Sequence, residues 1–341
     1  MKKKFFVAIM ALTMFLSVVA FTACVDGRPE PNVDVEYTLV APDGAPALAI
    51  SSLPSHYLVD ETVFGVNKKV VASSTLQTEA VQKDVDMAIV PANLAARIFN
   101  TSGGYKILAV VTNGNLYMTS SISCEVSSLQ DLKGKMVYSI GQNQVPDMIF
   151  RTLLANADIK YEVGEEPKEG QVTVRYCADG SEAISYLAQA KAKSQLAFGI
   201  YGEPAVTNSK AKGFEQVFDL QGLWADTQEG SQSGYAQAVL IARDRVCEDS
   251  AFVAELLKAL AANDSEILKD ATHAVKNIKD IYPQSSLQDN MTAEVIGRCN
   301  IKTVKVDADG RAYYENTLKA VMNINANLIG GKLPSDDFYI A

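Results

Sequence analysis

Few residues in this 341-residue chain are spaced for covalent chemistry. The two histidines, His56 and His273, stand far apart in turn or helical context, with no nucleophile or second ligand at catalytic spacing. Both are read as surface or packing residues. Gly230-Ser231-Gln232-Ser233-Gly234 has the outline of a nucleophile elbow, but the central position, which must be serine, is Gln232. No glycine-rich loop leads into a Walker lysine, and no H-E-x-x-H is present. Asp307-Ala308-Asp309-Gly310 opens like a calcium loop, yet Arg311 follows and no glutamate closes the pattern, so it is read as a turn. Cys124, Cys177, Cys247 and Cys299 form no C-x-x-C and have no histidine pair nearby. They are read as free, half-buried thiols, and no metal or cofactor is expected. What remains is the chemistry of hydrogen bonding and charge pairing. Its bearers are the carboxylates Asp43, Asp147 and Glu203 and the amides Asn113 and Asn115, all beside glycine or proline turns. Asp43 and Asp147 each stand at an expected helix start, where a carboxylate serves as a cap or as a ligand contact. They could also face each other across a cleft.

The elements that would position these groups begin with Tyr37–Ser52. Tyr37–Ala41 has the content of a short buried strand, Pro42-Asp43-Gly44 a turn, and Pro46 suits the first turn of a helix. A strand, a glycine turn and a helix aim free N–H groups at the carboxyl end of a sheet, where open α/β folds bind ligands. Strands are then expected over residues 66–73, 85–90 and 105–111, with short helices over 75–83 and 94–99. That alternation argues for a parallel sheet with right-handed crossovers. Residues 112–115 interrupt the pattern, and a strand over 116–122 leads into a fresh α/β series. Its strands are expected over 136–140, 172–176 and 195–200, and its helices over 147–156 and 181–190. Trp224 is assigned to a polar loop, as packing rather than as a stacking platform. Residues 235–242 are read as the returning strand, followed by helices over 249–263, 264–278, 289–297 and 311–329. The chain thus visits one domain, a second, and the first again, giving two lobes with a cleft between them.

The composition is 48% hydrophobic and 21% charged, which suits a globular chain of two α/β domains. A net charge of −9 lacks the basic footprint of a nucleic-acid binder. Lys2-Lys3-Lys4 followed by the apolar run from Phe5 to Ala20 reads as an export signal, too short and one-sided for a membrane span. It ends in Phe21-Thr22-Ala23-Cys24, which resembles a bacterial lipobox with Cys24 as the lipidated first residue of the mature chain. Residues 25–35 are polar and proline-bearing and read as a tether.

The order of a lipobox, a strand, PDGAP (42–46), DMAIVPANLA (86–95), TNGNLYMTS (112–120), DLKGK (131–135), GQ…PD (141–147) and EP (203–204) resembles a known family. It is that of the extracytoplasmic solute-binding lipoproteins of ABC importers, of the nitrate/taurine/thiamine-pyrimidine type. The resemblance runs over most of residues 35–341. It implies an α/β, two-lobed type II periplasmic-binding-protein fold, in which two α/β domains are joined by two crossing segments with a ligand cleft between. Residues 1–23 would be the signal peptide and 24–35 the tether, with 36–117 and 242–341 forming lobe 1 and 118–241 lobe 2. The implied ligand residues are Asp43, Gly44 and Ala45 in the first cleft loop, Ser73 and Ser74 after the second strand, and Pro91, Ala92 and Asn93 after the third. Asn113, Gly114 and Asn115 line the crossing, Gln142, Asn143 and Asp147 the equivalent loop of the second lobe, and Glu203 follows its last strand.

The function so implied is capture of a small molecule and its delivery to an ABC permease, by a monomer held outside the cell membrane through lipid on Cys24. No enzymatic activity is expected. The expected cleft loops hold three carboxylates and no arginine or lysine, which favours a neutral or cationic ligand such as a nitrogen heterocycle over sulfonate or nitrate. Asn113→Ala is expected to weaken binding without lowering thermal stability much. Two other readings stay open: an enzyme on the same fold, against which export and lipidation argue, and a ligand-sensing lipoprotein that reports to a membrane receptor.

Overall fold

The computed structural model describes residues 32–227 and 234–340. The export signal, Cys24, most of the tether and residues 230–233 of the elbow-like segment lie outside the described residues. Strand β1 (Val35–Pro42) carries Tyr37, Leu39, Val40 and Ala41, all buried. Gly44 follows at φ 99°, a backbone that side-chain-bearing residues rarely take, and opens the short helix α1 (Ala45–Leu48) with Pro46 in its first turn. β2 (His56–Val59) and β3 (Thr62–Val71) form a hairpin whose turn residues Asp60 and Glu61 both have positive φ. Such a turn favours glycine or asparagine, and no glycine marks it, so the hairpin is not legible in the sequence. β4 (Met87–Pro91), helix α2 (Ala92–Ser102) and β5 (Tyr105–Asn113) complete the first run.

At Asn113 the chain leaves this sheet. β6 (Leu116–Ser120), β7 (Met136–Ile140), β8 (Tyr161–Val163), β9 (Val172–Cys177), β10 (Ala197–Gly202) and β11 (Glu215–Asp219) build the second sheet, in the order β11-β6-β10-β7-β9-β8. Helices α3 (Val145–Asn156) and α4 (Gly180–Ala192) follow β7 and β9. Strands β10, β7, β9 and β8 are parallel; beyond them β6 runs antiparallel to β10, and β11 antiparallel to β6.

The return strand β12 (Ala236–Arg243) enters the first sheet between β4 and β5, antiparallel to both. After it come α5 (Ser250–Lys269), α6 (Ala271–Ile281), α7 (Ala293–Arg298), the edge strand β13 (Ile301–Lys305) and α8 (Ala308–Asn325). The first sheet therefore runs β13-β5-β12-β4-β1-β3-β2. Two sequence expectations change here. The sheet is mixed, with only β3, β1 and β4 forming its parallel centre. And residues 236–241, assigned with the second lobe, hydrogen-bond wholly within the first sheet, because β12 supplies the partner that β4 and β5 would otherwise lack. Asp264 does not break the helices: its carboxylate accepts from Thr303 N at 2.7 Å while α5 continues, and the break falls at Asp270, which caps α6. Asp307 is likewise a helix cap, accepting from Gly310 N at 3.1 Å.

From Asp34 onward the chain is one compact unit, and one hydrophobic cluster runs through both sheets. It joins Ala95 and Ile98 of α2 and Tyr314, Leu318 and Val321 of α8 to Phe150 and Leu153 of α3 and Phe198 of β10. Trp224 belongs to it. The residue lies in the helix Leu220–Thr227, not in a loop, is 1% exposed, and meets Tyr235 edge-on at 5.7 Å. Among the described residues no helix is long and apolar enough to cross a membrane.

Because Trp224 is the only tryptophan in the chain, its emission reports on this shared core. It should shift to the red on unfolding in guanidinium chloride. Trp224→Ala should cost about 3–5 kcal/mol of stability in the same titration, and Trp224→Phe much less.

Candidate functional site

The crossing from β5 to β6 is held by the segment that leads from α7 into β13. Asn113 donates from Nδ2 to Lys302 O at 3.0 Å and to Asn300 O at 3.4 Å, and its Oδ1 accepts from Tyr313 OH at 2.9 Å. Asn300 returns a bond to Gly114 O at 2.8 Å, and Asn115 donates to Cys299 O at 3.3 Å. A Cβ on Gly114 would lie 2.7 Å from Gln221 Cγ and 2.8 Å from the Tyr235 ring, so only glycine fits between them. All three residues are buried, and the side chains of Asn113 and Asn115 are engaged with the protein itself.

Beside the crossing, Glu203 is 4% exposed and accepts from Arg298 Nε at 2.6 Å and from Thr207 N at 3.0 Å. Arg298 comes from α7 and reaches the second sheet, where it also donates to Gln216 Oε1 at 2.7 Å and lies over the Tyr117 ring at 4.2 Å. A guanidinium that finds a carboxylate, an amide oxygen and an aromatic face together is well compensated for leaving water. Arg298 escapes a sequence reading because it closes an ordinary amphipathic helix far from the strand it serves.

The starts of α2 and α3 meet on another side. Asn93, in the first turn of α2, donates to Asn143 O at 3.3 Å and to Leu328 O at 3.4 Å. Asn143 has φ 59° in the exposed loop that also contains Gln142, and its N–H donates to Asp147 at 2.9 Å. Asp147 is 2% exposed and accepts from Tyr176 OH at 2.6 Å, with Arg151 at 3.5 Å. Burial, with this carboxylate beside it, pushes the Tyr176 phenol well above its ordinary range. No side chain caps α2 at Pro91 or α3 at Gln144. The main chain of Ala92 is bound by Tyr314 OH at 2.8 Å.

Asp43 takes bonds from Ser285 Oγ and from Ser286 N at 2.8 Å, which tie the first turn to the loop after α6. Gly44 beside it has open space where a Cβ would stand, while Ala45 is buried. Ser73 reaches Asp43 O at 3.5 Å, and both Ser73 and Ser74 are exposed. Asp43 and Asp147 therefore do not pair, since each is held by its own set of partners. All three carboxylates are engaged by donors from the protein. Glu203 and Asp147 each have an arginine beside them, Arg298 at 2.6 Å and Arg151 at 3.5 Å, neither from the expected cleft loops, so the electrostatic case for a cationic ligand keeps only Asp43, whose donors Ser285 and Ser286 are uncharged.

His273 is exposed on α6 and His56 lies in β2. The four cysteines are unpaired, with Cys177 and Cys299 buried. Burial pushes the Cys177 thiol up to about 12. Among the described residues no group of three metal-binding side chains comes together. Two cavities, of about 650 Å³ beside Lys68 and His273 and about 530 Å³ beside Cys124 and Gln216, contain none of the expected ligand residues.

No protein-family model matches the chain, and no curated protein matches it. Solved structures do. An ABC transporter structure from Parabacteroides distasonis superposes with a TM-score of 0.69 at 18% identity, covering 90% of this chain and 99% of that one. The periplasmic aliphatic sulphonate binding protein SsuA of Escherichia coli gives 0.62 at 12% identity, over 90% of this chain and 92% of its own. The zinc-bound ligand-binding component of an ABC-type import system from Staphylococcus aureus gives 0.57 at 12%, over 90% and 96%. At these identities the likeness establishes the fold alone: the chain shares a two-lobed α/β architecture with these structures.

The geometry reverses the expected effect of one substitution and adds another. Asn113→Ala removes three hydrogen bonds and strands buried partners, so it should lower stability by about 1–3 kcal/mol in urea titrations. Arg298→Met leaves Glu203 buried without its counter-ion and should cost about 3–5 kcal/mol. The double variant Glu203→Gln with Arg298→Met should recover most of that loss, which a double-mutant cycle would measure.

Proposed function

We propose that this protein is the extracytoplasmic solute-binding component of an ABC importer, which captures a small molecule between its lobes and delivers it to a membrane permease. The observation that carries this reading is the meeting of two helix starts from opposite sheets, Asn93 of α2 against Asn143 ahead of α3, at the carboxyl ends of parallel strands. That is where open α/β sheets take ligands. In this reading Gly44, Ala45, Ser73, Ser74, Pro91, Ala92, Asn93, Gln142 and Asn143 offer the contacts. Asn113, Gly114, Asn115, Asp147 and Glu203 hold the geometry around them. The ligand is a small neutral polar molecule, recognised by amides and main-chain groups and not by a free carboxylate. The protein works as a monomer, tethered through lipid on Cys24.

Binding then favours a closed arrangement that the empty protein already samples, and contacts to the second lobe supply the differential affinity. Native mass spectrometry of the purified chain, before and after mild denaturation, tests this. A small molecule released on denaturation is the expected result; turnover of a bound compound would replace the reading with an enzymatic one. Mass analysis of the amino-terminal peptide should find Cys24 first and carrying a diacylglyceryl group, and any other start would remove the anchor.

A further inference from the structure

Asn93 is 4% exposed, and its amide has one end satisfied and one end not. The two groups within reach of Nδ2, Asn143 O and Leu328 O, are both carbonyls and can only accept. Their chemistry fixes which way the amide points. Oδ1 is then a buried acceptor to which nothing among the described residues donates. Buried acceptors are almost always paired, and one closed off from water without a donor opposes the arrangement that closes it. Asn115 also has an unpaired Oδ1, but Gly202 is packed against it so closely that a Cβ there would lie 2.9 Å away. Asn93 instead stands in the first turn of an eleven-residue helix, where the leading N–H groups have no side-chain cap, and touches the loop ahead of α3. One turn thus presents main-chain donors and a side-chain acceptor side by side.

We infer that Asn93 is the specificity-determining residue of the proposed cleft, and that its ligand is a neutral molecule with an amide-type edge, an N–H donor next to a carbonyl acceptor. The inference rests on the solute-binding reading and deepens it. The ligand's carbonyl takes the free N–H groups of α2, and its N–H takes Asn93 Oδ1. A sulfonate or nitrate brings acceptors only. It could satisfy the helix start, but it would set a negative oxygen against Oδ1 and leave that atom unpaired as the lobes close. Asn93 in this way selects at the closing step.

The test uses the full chain, with succinimide as the cyclic-amide probe and methanesulfonate and nitrate as anion probes, alongside the mass of any molecule released on denaturation. Wild type is expected to release a neutral donor-bearing molecule, or to gain thermal stability with succinimide and none with the anions. Asn93→Leu should lower that occupancy at least tenfold or abolish the shift. Asn93→Ser, which keeps a small oxygen acceptor, should retain part of it and serves if the leucine variant does not fold. A released sulfonate, a shift with methanesulfonate or nitrate, or full occupancy in both variants overturns the inference and leaves the solute-binding reading standing. No released molecule and no shift with any probe overturns both.

Discussion

A chain that passes from one sheet to another must bury main-chain polar groups where neither sheet can pair them. Here the passage is the short stretch from Asn113 to Asn115, and its needs are met by residues almost two hundred positions later. Cys299, Asn300 and Lys302 lie along it and exchange hydrogen bonds with it. Arg298, immediately before them, reaches into the second sheet and closes on Glu203. The two sheets are thus joined by more than the covalent chain. The crossing, the clasp on it and the buried ion pair form one structure, and the placement of the helix starts of both lobes follows from it.

The disposition of charge follows the same logic. A carboxylate that is buried must find donors, and Asp147 and Glu203 find theirs in Tyr176, Arg151, Asn143 N, Thr207 N and Arg298. So committed, these two carboxylates fix loops and helix ends, and the arginine beside each offsets its charge. The strand ends that the proposed cleft would use carry serine hydroxyls, an asparagine amide and the first N–H groups of two helices, beside Asp43, whose carboxylate is held by the uncharged donors Ser285 and Ser286. Recognition of this kind is short-ranged and directional, and salt screens it little.

The sequence makes much of this fold legible because its strongest signals are local. The strand, turn and helix from Tyr37 to Leu48 and the buried run of β4 fall where the pattern places them, and the interruption expected over residues 112–115 narrows to Gly114-Asn115, with Thr112 and Asn113 still in β5. The missing parts lack a local signal. The hairpin at Asp60-Glu61 turns without glycine, β13 is a short edge strand of mixed polarity, and β12 reveals its neighbours only through pairing partners far away in sequence. Of the site, the residue types at strand ends were readable, but their commitments were not. Whether Asn113 serves a ligand or Lys302, or Glu203 a ligand or Arg298, depends on side chains that a linear pattern does not bring together.

The place of β12 in the first sheet has a consequence for how the protein comes into being. Until Ala236–Arg243 is available, the facing edges of β4 and β5 have no partner, and both strands are fully apolar over most of their length. The first lobe therefore cannot mature as the chain emerges from its amino end. It waits, with two open edges, for a segment made after the whole second sheet. Long-range pairing of this sort slows folding and leaves strand edges open to mispairing.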